Sequence, residues 1–371
     1  MKIISLQKNL KAALYAVNHI AQKNTSLPIL NNILISAKDG VIKLVTTNLE
    51  IGITSVLRGK IEADGDFTVD AKTLSEYVGL LDNDKTTLEV TDNELKVACG
   101  SYKTKIKGLG ADEFPLIPNI DRQGFIKIAT KDFKEALSKV VFSVSSDDTR
   151  AELSGVLFSL DNKTMSIVGT DSYRLAEKKI VVENNLSESR QLIIPAKTIQ
   201  EVVRIISSEA TEDENMDEVL FYASDNQCLF VIGGVEVVSR LIDGRYPDYQ
   251  QIIPQKYQCR ATVDRSEIIR AVKAASIFSR TGVNDIILNF SKNGLDVSAA
   301  SGQTGEQNAL IKATIEGVDT NTTLNFRYIL DGLNAFNSNL VSFDLIDDQT
   351  PCILKDLDNN DYLYIMMPIK K

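Results

Sequence analysis

The chain has 371 residues, 43% hydrophobic and 25% charged, the composition of a globular protein long enough for two or three cores of about 100–150 residues each. Its 41 Lys and Arg against 50 Asp and Glu leave a net charge of −9, which excludes a surface basic all over but permits a local basic stripe. No apolar run reaches the roughly 18–20 residues of a membrane span, and Met1 to Leu6 lacks the apolar stretch of a signal peptide, so a soluble cytoplasmic protein is expected.

Residues 6–23 read as a helix. Leu10, Ala13, Leu14, Val17 and Ala21 form its apolar stripe, with Lys8, Lys11, Tyr15, Asn18 and Gln22 opposite. Strand patterns follow at 29–36 and 41–45, then Phe67-Thr68-Val69 leads into a second helix at 72–78. Segments 86–90 and 94–97 place apolar residues at alternate positions and turn at Asp92-Asn93, the signature of a hairpin.

The pattern then restarts. A helix at 131–141 precedes strands at 153–160 and 165–168, and Leu192-Ile193-Ile194 leads into a helix at 197–203. The acidic stretch 209–218 reads as a solvated connection. A third round runs from a helix at 264–280 through strands at 286–290 and 295–297 to a weaker helix copy at 324–330. The Lys-Thr pairs at Lys72 and Lys197 stand 125 residues apart, close to a third of the chain. Asp112-Glu113-Phe114-Pro115 and Gly244-Arg245-Tyr246-Pro247-Asp248 close the first two rounds alike. Three domains are expected, at 1–120, 121–254 and 255–371. Each has two helices on six to eight mostly antiparallel strands, an α+β class.

Chemistry is hard to build from these residues. Cys99, Cys228, Cys259 and Cys352 lie more than 30 residues apart without a CxxC, so free buried thiols are expected. A single histidine, His19, leaves no obvious triad or histidine metal site, and it is expected on a helix surface or in packing. GxxxxGK[ST], GxGxxG and GxSxG are all absent, and Gly108-Leu109-Gly110, with no third glycine, reads as a turn. No metal or cofactor is implied. A carboxylate-dependent enzyme and a monomeric protein-binding repeat scaffold stay open as alternatives.

The six helical segments together carry +7, which leaves −16 for the rest. Basic helix faces in an acidic chain suit an anionic polymer contacted without base readout. The candidates are Lys8, Lys11, Lys23, Lys134, Lys139, Lys197, Arg204, Arg270 and Lys273, with Arg150 added.

Four segments carry a resemblance: Leu27-Pro28-Ile29-Leu30-Asn31-Asn32; Gly169-Thr170-Asp171-Ser172-Tyr173-Arg174-Leu175-Ala176; Asp243-Gly244-Arg245-Tyr246-Pro247-Asp248-Tyr249; and Tyr364-Ile365-Met366-Met367-Pro368-Ile369-Lys370-Lys371. In this order, on a threefold repeat, the chain resembles over its full length the bacterial sliding clamps, the β subunits of DNA polymerase III. The resemblance implies a head-to-tail homodimer, a six-domain ring with sheets outside and twelve helices around the hole. Twelve helices spaced about 9–10 Å apart leave about 26 Å clear, whereas six would leave about 8 Å. Duplex DNA, about 20 Å across, passes only the dimer ring.

It further implies a processivity factor without catalysis of its own, which encircles double-stranded DNA and tethers partners by a short peptide. The implied partners are the polymerase III α subunit, the clamp loader, other polymerases and mismatch-repair proteins. Carried over by motif, the peptide pocket consists of Leu153, Thr170, Ser172, Tyr173, Arg174, Leu175, Pro247, Gln251, Ile252, Ile365, Met366, Met367, Pro368 and Ile369, with Arg174 a polar contact at its rim. Methionines suit a pocket that accepts differing peptides. Ser172 and Tyr173 stand where the family often has Gly-His, Lys370 replaces a frequent Arg, and Asn24 replaces a frequent basic residue beside Lys23. Ile277 and Phe278 match an apolar pair of the family's subunit interface.

Overall fold

The computed structural model describes residues 1–21, 27–122, 124–147, 149–161, 163–184, 188–208, 217–357 and 359–370. Among them are six helices: α1 (Gln7–Asn18), α2 (Ala71–Gly79), α3 (Thr130–Val140), α4 (Ala196–Ile206), α5 (Arg265–Ser276) and α6 (Phe326–Ala335). Helices therefore fall twice in each third of the chain, as the repeat predicts. Lys23, Asn24 and most of the acidic stretch 209–218 lie outside the described residues.

The described strands number 27, nine in each third, more than the six to eight expected. The surplus is made of short, exposed strands such as Gly59–Ala63 and Ala313–Gly317, which carry no alternating apolar signal because neither face is buried. The third round's second helix begins at Phe326, since Leu324 and Asn325 end the strand Thr320–Asn325.

The chain forms two compact units. The first comprises residues 1–134, 182–188 and 197–242. Its strands make one sheet that runs from Glu183–Asn184 at one edge to Gly59–Ala63 at the other. Within it Val235–Arg240 pairs antiparallel with Ile51–Leu57, Val237 opposite Ile53, so strands of the first and second repeats share a ladder. The hairpin at Asp92-Asn93 turns with both residues at positive φ, 50° and 62°, as a two-residue connection between right-twisted strands requires.

In this unit α1 buries Leu10, Ala13, Leu14 and Val17, the stripe its sequence marks out. The helix stops at Asn18, short of the expected residue 23. Its last carbonyls find partners from outside: Thr46 Oγ1 donates to Val17 at 2.7 Å, and Arg204 takes those of Tyr15 and Ala16. Buried Gln7 at its start donates to the Val78 carbonyl at the end of α2, at 2.8 Å.

The second unit comprises residues 135–181, 189–196 and 243–371 and holds a nine-stranded and a four-stranded sheet. Arg174–Val181 pairs antiparallel with Tyr362–Met366, Leu175 opposite Ile365, so strands of the second and third repeats also share a ladder. The strand-to-helix junctions repeat one device. Asp264 at the start of α5 accepts from the Glu267 N–H at 2.9 Å, and Asn325 at the start of α6 from that of Arg327 at 2.9 Å, as Asp70 does for Thr73 in the first unit.

All four cysteines are buried and free. Among the described residues no group of His, Cys, Asp and Glu is placed to hold a metal ion, and no helix is long and apolar enough to cross a membrane.

Candidate peptide cleft and DNA-facing helices

The loop Asp171 to Tyr173 joins two core strands and is held at every residue. Asp171 Oδ1 accepts the N–H groups of Tyr173 and Arg174, each at 2.9 Å. Thr170 Oγ1 accepts from the Ser172 N–H at 3.2 Å and donates to the Arg174 carbonyl at 2.6 Å. Ser172 sits at φ 76°, a left-handed setting that suits the glycine common there in the resembled family. Its hydroxyl accepts from Arg150 Nη1 at 3.0 Å.

A second wall comes from the short 3-10 turn Tyr249–Ile252. The Tyr249 hydroxyl donates to buried Glu177 at 2.9 Å. Burial, then the Glu177 carboxylate, raise its pKa, so it stays a donor. The third wall is the C-terminal strand. Past its end the Met367 N–H donates to the Tyr173 carbonyl and that of Ile369 to the Thr323 carbonyl, both at 2.8 Å.

Between these walls lies an open cleft of about 190 Å³. Leu175, Pro247, Ile252, Ile365 and Met367 supply apolar lining; Thr170, Ser172 and Arg174 lie among them. The space suits a pair of apolar side chains rather than a whole small-molecule ligand.

Six expected members do not line it. Met366 is fully buried on the face of its strand opposite Ile365 and Met367, because strand side chains alternate. Leu153 is buried in the core, and the Gln251 amide is turned to Asp248 at 2.7 Å. Tyr173 stands exposed and offers Met367 its carbonyl, while Pro368 and Ile369 follow the tail toward Thr323. Asp248 and Tyr249 do line the cleft and were missed, although both belong to the Gly244–Tyr249 motif.

The basic candidates also divide. Lys8 and Lys11 on α1, Lys134 on α3, Lys197 on α4, and Arg270 and Lys273 on α5 are exposed. Two others, Lys139 and Arg204, are corrected. Lys139 is only 7% exposed: it pairs with Glu135 at 2.7 Å and lies over the Tyr362 ring, so it has no face for DNA. Arg204 is spent on Glu201 and on α1 carbonyls. Arg150 stands on no helix; it borders the cleft. Lys23 lies outside the described residues.

Ile277, just past α5, is 68% exposed, with Phe278 half-buried beside it. His19 is not idle surface: its Nδ1 is hydrogen-bonded to the buried Glu201 carboxylate.

Comparison with known proteins agrees along the whole chain. The N-terminal, central and C-terminal domain families of the DNA polymerase III beta subunit match residues 1–118, 127–248 and 250–370. The beta sliding clamps of Staphylococcus epidermidis and Staphylococcus aureus are each 28% identical over 357 residues, covering 93% of this chain and 93% of the relative. The solved DNA polymerase sliding clamp of Bacillus subtilis is 27% identical, with a TM-score of 0.93 over 100% of this chain and 99% of that one. The sliding clamp of Bartonella birtlesii, solved bound to griselimycin, is 26% identical with a TM-score of 0.93 over 100% of both chains. Three clamp domains, antiparallel α+β architecture and full-length likeness place the chain in the DNA polymerase III β-subunit family, with the role of a DNA sliding clamp.

Proposed function

We propose that two copies of this chain close head to tail into a ring around duplex DNA, and that the cleft docks short peptide segments of replication proteins. The domain boundaries belong near residues 120 and 255. The observation that carries the DNA side is the charge segregation: exposed Lys8, Lys11, Lys134, Lys197, Arg270 and Lys273 sit on four helices of a chain of net −9. Such a lining tolerates phosphates without gripping them, so the ring slides.

The sliding-clamp family is a non-catalytic processivity factor, and we assign this chain no reaction of its own. It acts by tethering, which raises the polymerase's effective concentration at the primer end. Its partners are the polymerase III α subunit, the clamp loader, other polymerases and mismatch-repair proteins, all in the cytoplasm. Leu175, Ile252, Ile365 and Met367 give the cleft its apolar character and support this assignment.

Encirclement is tested by DNA topology. Protein loaded on nicked circular DNA should stay bound in about 0.5 M salt and leave when the circle is cut. Ordinary phosphate-driven binding weakens by orders of magnitude with salt whatever the topology. Equal loss from circles and linear molecules would rule the ring out.

A further inference from the structure

Arg174 opens the strand that floors the cleft, yet its guanidinium is spent elsewhere. Nε donates to Asp171 Oδ2 at 3.0 Å, Nη1 to Asp331 Oδ2, and Nη2 to the Phe142 carbonyl at 2.7 Å. The group lies 4.6 Å from the centre of the Tyr328 ring and 5.6 Å from that of Phe142. The side chain is 12% exposed. A planar fork that donates from three nitrogens and lies over two rings is a use only arginine can fill.

Its partners come from three places: the 171–174 loop, the turn Val141–Ser143 that follows α3, and α6. Two neighbouring hydroxyls tie the same parts. Tyr362 donates to the Lys139 carbonyl of α3 and Tyr364 to the Tyr328 carbonyl of α6, both at 2.9 Å. Thus the two paired strands beside the cleft, Arg174–Val181 and Tyr362–Met366, are bolted by side chains to the end of α3 and to α6. Asp331 is not among the residues that line the cleft.

We propose that Arg174 is a positioning residue, a clasp between the loop, α3 and α6 that sets the cleft walls in register while its guanidinium stays out of contact with a docked peptide. The inference rests on the reading of the cleft as a peptide site. It overturns the expectation of a rim contact, because each of the three guanidinium nitrogens already donates within the protein. It also makes Asp331, which does not line the cleft, matter for binding.

The test uses the full-length protein and a labelled peptide that carries Gln followed by an aliphatic or aromatic pair. Asp331→Ala should weaken binding about five- to tenfold, Arg174→Ala by a similar factor, and the double variant by little more than either, since both remove one clasp. Asp331→Glu, which keeps the carboxylate, should recover most of the affinity. Replacing the peptide Gln by Ala should cost the same factor in the native protein and in Arg174→Ala. Unchanged affinity in Asp331→Ala, or a peptide Gln whose effect vanishes with Arg174, overturns the clasp.

Hydrogen exchange of the free protein needs no ligand. In Asp331→Ala the amides of 141–144, 171–175 and 364–367 should exchange at least tenfold faster while those of the first unit stay unchanged. No change there also overturns it. Faster exchange in a protein whose native form ignores the peptide would uphold the clasp and sink the peptide reading instead.

Discussion

Arg204 and Tyr15 are joined twice: Nη1 donates to the Tyr15 carbonyl at 2.8 Å, and the guanidinium lies 5.0 Å from the centre of the Tyr15 ring. Nη2 takes the Ala16 carbonyl at 2.7 Å and Nε the Glu201 carboxylate at 2.9 Å. One side chain of α4 thereby closes the end of α1 and balances a buried acid, which His19 meets from the other side.

Arg204→Ala should therefore destabilise the protein by about 2–4 kcal/mol, because it frees two helix-end carbonyls and strands Glu201 with His19 alone. Arg204→Lys should recover little, since a point charge cannot span three acceptors. Urea unfolding reads both, and a loss below about 0.5 kcal/mol would show that the cap carries no weight.

Asp344 predicts the acid response. It is 3% exposed and receives Arg260 at 2.6 and 2.7 Å and Lys355 at 3.0 Å. Burial pushes its pKa up, but the hydrogen bonds and charges of Arg260 and Lys355 outweigh that and hold it below its ordinary value. The stability it contributes is complete above the unfolded value of about 3.9 and drains as pH falls through the lower folded value. Asp344→Asn should cost about 1–3 kcal/mol at pH 7. Unfolding measured from pH 7 to pH 2 should show the gap to the native protein closing below about pH 4. A gap independent of pH would contradict the pairing.

Ending the chain at Met366 keeps the C-terminal strand and removes Met367 from the cleft, together with two main-chain hydrogen bonds. The shortened protein should stay folded and lose peptide affinity tenfold or more by calorimetry. Equal affinity in the two forms would mean that the peptide docks elsewhere.

Ile277 gives the prediction for the ring. The residue is exposed, so Ile277→Asp should leave the fold intact. Burying the new carboxylate at a subunit joint is costly, and sedimentation should show the mass fall from twice 40.9 kDa to 40.9 kDa. An unaltered protein that sediments as a monomer at micromolar concentration would end the ring proposal.

The α1 stripe, the Asp92-Asn93 hairpin and the placement of two helices in each third were all legible, because each depends on residues a few positions apart. Helix and strand periods and turn chemistry act locally, so they survive in the chain as written. The same local rule could have separated Met366 from Ile365 and Met367, since alternation alone puts them on opposite faces.

The fate of the basic residues was not legible. Lys134 and Lys139 share a helix and a charge, yet one is exposed and the other buried against Glu135 and Tyr362. Arg204 finds its carbonyl at Ala16, 188 residues away, and the Tyr362 hydroxyl reaches Lys139 across 223. Sequence by itself determined the repeat, the helices and their surplus of positive charge. Only the tertiary structure decided which cations meet solvent and which close a helix end or clasp the cleft. A charge's environment depends on the groups brought against it, and those came from strands and helices far off in the chain.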